Sequence, residues 1–87
     1  MNTDETKITT LPIDDIFCAS FVATRGCRLL NVEQSGSRSF FHFSNSKGEA
    51  SDAVLGFVND EPVSVRSFVS AYKQFRSLVY TARKAKA

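Results

Sequence analysis

The amino-acid sequence predicts a small single α+β domain in the order α-β-β-α-(β)-α, a β-hairpin packed against helices. Three observations carry that expectation. Two segments around Ser35-Gly36 alternate apolar and polar residues at period two. Residues 65–79 place apolar side chains at helical spacing. The length of 87 residues, with 43% hydrophobic and 23% charged, suits one globular core and too few residues for two. The expected organisation is a flexible N-terminal arm over 1–10, one domain over 11–82 and a basic C-terminal tail over 83–87.

The elements follow in chain order. MNTDETKITT is polar and without periodicity, hence a flexible arm or a short extended lead-in. Pro12 bars a helix before it, Asp14 can cap one, Asp15 suits the positive end of its dipole and Gly26 can end it, which predicts a first helix over 14–25. Its apolar residues, Ile16 to Ala19 and Phe21 to Ala23, run all the way round the cylinder, so it must be covered on most sides. The hairpin pairs 28–34 with 37–43, with Leu30 and Val32 on one face of the first strand and Phe41 and Phe43 on one face of the second. Ser46-Lys47-Gly48-Glu49 reads as a capping box opening a second helix that carries Ala50, Ala53, Val54 and Phe57 and ends near Asn59. Pro62-Val63 is extended and fits a third, edge strand, and Ser64 caps a last helix with Val65, Phe68, Val69, Tyr72, Phe75, Leu78 and Val79 along one face.

From Asp15 to Tyr80 several structural residues stand in a recognisable order: Asp15 to Val22 followed by Gly26, then Phe41-His42-Phe43, Phe57-Val58-Asn59 before Val63, and Phe68 with Ala71-Tyr72 and Leu78-Val79-Tyr80. In this the chain resembles an uncharacterised family of small bacterial and phage proteins, a domain of unknown function. Cys18 departs from the larger aliphatic residue such proteins carry there. The resemblance implies a compact domain of mobile-element or bacterial origin and brings no activity.

No segment combines a basic start with a long apolar stretch, so neither a secretory nor a spanning segment is expected, and a reducing cytoplasm is the default setting. No glycine-rich phosphate loop occurs among the four Gly, and no cofactor is implied. His42, the one imidazole, alternates with Phe41 and Phe43 and so shares the other sheet face with Phe40. Hydrolysis through it would need a cleft and a carboxylate within about 3 Å, an arrangement the reading expects to be absent. Cys18 and Cys27 lack the paired spacing of a zinc site, and Cys18 reads as small core filler. Asp14-Asp15 and Glu49 with Asp52 sit where carboxylates complement helix N-termini. No catalytic or metal-binding residue is expected, and the chain reads as non-enzymatic.

Charge order is more informative than the formal total of +2. Residues 1–61 hold five Lys and Arg against all nine acids, a net −4, whereas residues 62–87 hold six cations and no acid, a net +6. Arg66, Lys73, Arg76, Tyr80, Arg83 and Lys84 gather on the side of the last helix roughly opposite Phe68, Tyr72, Phe75 and Val79. A basic stripe with one aromatic fits phosphate contacts plus a stacking surface. The same stripe could meet an acidic protein surface, as in an inhibitor or modulator of a host protein complex, or could be a solvated face. With no Glu on the helix to mix signs, a partner is the favoured expectation. A second candidate surface is apolar, formed by Cys18 and Val22 of the first helix with Phe40 of the sheet, and would support a homodimer unless the arm covers it.

Overall fold

The structure, a computed structural model, describes residues 10–86; most of the arm read over 1–10 lies outside the described residues. Six elements follow one another: β1 (Thr10–Ile13), α1 (Ile16–Thr24), β2 (Leu29–Ser35), β3 (Arg38–Ser44), α2 (Glu49–Val58) and α3 (Val65–Lys86). The strands form one antiparallel sheet in the order β1-β3-β2. The domain is α+β with its hairpin packed on helices. No helix among the described residues is long and apolar enough to cross a membrane.

The third strand is β1, not Pro62-Val63. Thr10 to Ile13 pair with Ser44 to Phe41 of β3. β1 is an edge strand of four residues, where Pro12 can be tolerated because an outward-facing position needs no N–H. Both sides of β3 are thereby occupied, and residues 61–64 are left as an irregular connection held by Glu61 N–H to Gly56 O at 3.0 Å and by Arg25 Nη2 to Pro62 O at 3.3 Å.

The hairpin closes through a two-residue turn, Gly36-Ser37, between the paired Ser35 and Arg38. Gly36 has φ +61° while Ser37 does not, the pattern of a II′ turn that matches strand twist. A register shift between Leu29 and Asn31 alters which residues face inward. Leu29 opposes Phe43 and Val32 opposes Phe41, so Leu30, expected inside, turns outward on the bulge. A strict period of two cannot anticipate that extra residue.

Helix termini are set by side chains. Asp15, rather than Asp14, is the N-cap of α1, its Oδ1 accepting from the N–H groups of Phe17 at 2.8 Å and Cys18 at 3.2 Å. At α2 the residue preceding the helix is Gly48, and Asn45 rather than Ser46 supplies the cap: its Oδ1 accepts from Ala50 N at 2.9 Å and Ser51 N at 3.1 Å. Glu49 reaches back to accept from Lys47 N at 2.8 Å. Ser64 opens α3, its Oγ accepting from Ser67 N at 3.3 Å. The helix runs through Lys86, so residues 83–86 belong to it and form no separate tail.

One apolar core joins the layers: Ile13, Cys18, Ala19, Val22, Phe41, Phe43, Ala50, Ala53 and Phe75. Phe75 of α3 stacks on Phe41 with centroids 5.0 Å apart and tilts against Phe43 at 6.1 Å. Residues 18–22 of α1 are all buried because α3, α2 and β1 pack around that helix, which covers most of its apolar sequence within a single chain and leaves Phe17 exposed. Cys18 is 7% and Val22 0% exposed, so neither can form the apolar interface expected of them, and Phe40 is half-buried on the sheet face turned away from the core.

Truncating the ring that ties α3 to the sheet should be severe. Phe75→Ala is expected to lose about 3–5 kcal/mol, a large share of the stability of so small a domain, read as a lower urea midpoint by circular dichroism, with Phe75→Leu losing clearly less. The backbone N–H groups of Glu49 and Lys47, with the Ser44 hydroxyl, hold the Glu49 carboxyl below its ordinary range. Its stabilising effect is therefore complete above the ordinary value of 4.5 and lost as pH falls through the lowered one. Glu49→Gln should flatten the acid side of the pH–stability curve, measured as urea midpoints between pH 7 and pH 3.

Candidate functional site

The contact with the sheet decides how α3 is presented. Phe75 lies at its centre and Phe68, Tyr72, Leu78 and Val79 are half-buried beside it. At about 100° per residue, Arg76 and Arg83 then stand about 100° and 80° round from Phe75. They occupy the shoulder of the helix next to the sheet and not the side opposite the core, as the sequence suggested. Arg66, Lys73 and Lys84 lie further round, and all five cations are exposed.

Among the described residues none of these five cations is paired with a carboxylate. The ion pairs lie elsewhere: Arg25 with Glu61 at 3.0 Å, Arg38 with Asp14, and His42 with Glu33 at 2.9 Å. Two cations of α3 lean on aromatic rings one turn before them. Arg76 sits 5.8 Å from the Tyr72 centroid and Lys84 5.4 Å from that of Tyr80. Tyr72 in turn stacks nearly parallel on Phe17 of α1 at 5.4 Å, so Arg76 is positioned by a ring that is itself fixed. Tyr80 is 65% exposed, with Lys84 beside its ring.

The six predicted residues do not form one uniform stripe. Arg76, Tyr80 and Arg83 line a cleft of about 430 Å³ shared with Ser37, Arg38 and Ser39 at the hairpin tip, over a floor of Ile16, Phe41 and Val79, with Asp14 at its rim. Lys73 joins Arg76, Ser77, Tyr80 and Thr81 in a shallower groove along the helix. Arg66 stands apart, beside Ala23, Thr24 and Gln74 at the other end of α3. Val65 and Val69, on either side of Arg66 in the chain, are exposed. The contribution of the hairpin tip was missed, because nothing in the sequence says which end of α3 meets it.

The His42 imidazole and the Glu33 carboxylate, 2.9 Å apart, supply the carboxylate neighbour that was expected to be absent. They lie on the outer sheet face, Glu33 opposite Phe40 and His42 opposite Asn31, and line none of the grooves above. Exposed apolar surface is found on α2, at Leu55 and Val58, next to a groove of about 340 Å³ between β1 and α2, and on α1 at Phe17 rather than at Cys18 or Val22. No group of three or more His, Cys, Asp or Glu among the described residues is arranged to hold a metal ion.

Both cysteines are free, and burial pushes both thiols above their ordinary range, assisted by Asp15 beside Cys18 and Glu49 beside Cys27. Iodoacetamide at pH 7 should therefore modify the native protein slowly, Cys18 more slowly than Cys27, and both readily in urea, as read by mass spectrometry. No family model matches the chain, and no curated protein or solved structure matches it.

Proposed function

We propose that this chain is a non-enzymatic binding domain that docks on nucleic-acid backbone through the exposed face of α3. The observation that supports this reading is the set of five cations, Arg66, Lys73, Arg76, Arg83 and Lys84, exposed on one helix with no carboxylate partner among the described residues. Phosphate oxygens are the complementary ligands, and they need no further chemistry from the protein. Tyr80 adds an exposed ring on the same side. Such binding reads the backbone and little of the base sequence.

A second reading, docking on an acidic protein surface, is favoured by the exposed Val65 and Val69 beside Arg66 at the start of α3. The two readings separate by substitution. Fluorescent oligonucleotides should bind at low salt, with affinity falling on a log–log salt plot with a slope of about −3 to −4 if roughly four phosphates are neutralised. Lys73→Glu with Arg76→Glu should abolish that binding, while Val65→Ser with Val69→Ser should leave it within twofold. No binding at low salt, or binding indifferent to the charge reversal, removes the nucleic-acid reading.

A further inference from the structure

We infer that the cleft between the hairpin tip and the C-terminal half of α3 seats one unstacked nucleotide, so that the ligand is single-stranded nucleic acid rather than duplex. The inference rests on the nucleic-acid reading of α3 and specifies it. An exposed convex helix can lie along any phosphate chain, but a concave cleft of about 430 Å³ falls in the size range of small-ligand sites and admits one base with its sugar. A base held in a duplex stack cannot enter it.

The lining has the two halves that a nucleotide requires. Ile16, Phe41 and Val79 give an apolar floor, and the Tyr80 ring at the edge offers a face for stacking. Arg76 and Arg83, seven residues and so about 10.5 Å of helix rise apart, stand on one wall where phosphates on either side of the seated unit would pass. Arg38 is tied to Asp14 at the rim and does not count as a free cation.

The cleft is also held in shape before any ligand arrives. The Ser39 hydroxyl donates to Gln34 Oε1 at 2.6 Å, and Gln34 Nε2 donates to Gly36 O at 3.1 Å, which braces the hairpin tip. With its hydrogen committed, the Ser39 oxygen presents lone pairs, suited to an amino group on a base edge. Phe41 beneath is fixed by its stack on Phe75. A preformed site of this kind spares the ordering cost that weakens flexible ones.

The test compares a fluorescent single strand with a duplex of the same length and uses Ser37→Trp, an exposed turn position where the new ring fills the cleft mouth without touching the core. The expected result is tighter binding of the single strand, lowered about tenfold or more by Ser37→Trp and likewise by Tyr80→Ala, with duplex binding unchanged within twofold by Ser37→Trp. Equal affinity for the two oligonucleotides, or a single-strand affinity untouched by Ser37→Trp, overturns the cleft and leaves backbone docking by α3 standing. Failure of both oligonucleotides to bind at low salt overturns the docking reading and the cleft with it.

Discussion

Phe75 stacks on Phe41 and tilts against Phe43, and through those rings one long helix, packed along α1 and β2, is tied to the central strand of a three-stranded sheet. A hairpin with a single added strand cannot hide its apolar face alone. The contact gives that face a cover and fixes the rotation of α3 about its axis. Because rotation is fixed, so is the place of every cation on the helix. Arg76 follows Phe75 directly and Arg83 comes eight residues later, hence both rise beside the sheet where the hairpin tip can share a cleft with them. A helix rotated by a third of a turn further from the sheet on that side would present the same residues to open solvent and make no concave site.

The sequence displayed the parts whose signals are local. The hairpin follows from alternation around Ser35-Gly36, the long helix from apolar spacing behind Ser64, and the crowded first helix from apolar residues on every side. What escaped it depends on contacts between distant segments or on single-residue irregularities. The bulge at Leu30 exchanges Leu29 for Leu30 on the inner face, and no periodic template contains an extra residue. β1 is four residues long and contains Pro12, so it reads as a lead-in until β3 is seen to need a second neighbour. Asn45 and Ser46 are both good caps, and only the path of the chain leaving β3 selects Asn45.

The candidate site divides in the same way. All five cations and Tyr80 were legible, since charge order and exposure on an amphipathic helix follow from spacing alone. Their grouping was not. Ser37, Arg38 and Ser39 enter the site only because the hairpin tip folds against the C-terminal half of α3, a contact between residues about forty positions apart. The apolar patch assigned to Cys18 and Val22 failed for a related reason: an all-round apolar helix shows that covering is required, and says nothing of whether the cover comes from the same chain.

The split of formal charge into −4 and +6 has a structural counterpart. Five of the nine acids are engaged by the fold: Asp15 caps α1, Glu49 binds the turn before α2, Asp14 holds Arg38, Glu61 holds Arg25 and Glu33 meets His42. Arg66, Lys73, Arg76, Arg83 and Lys84 of α3 have no such partners among the described residues, and all but Arg66 gather over residues 73–84. Like charges three or four residues apart on a helix repel by a few tenths of a kcal/mol per pair, roughly 0.2–0.5. Lys73 with Arg76 is such a pair, while Arg76 and Lys84 are eased by the rings of Tyr72 and Tyr80. A bound anion would remove that repulsion, so occupancy of this face and the stability of α3 are thermodynamically linked, and a polyanion that binds only the folded chain must raise its resistance to unfolding.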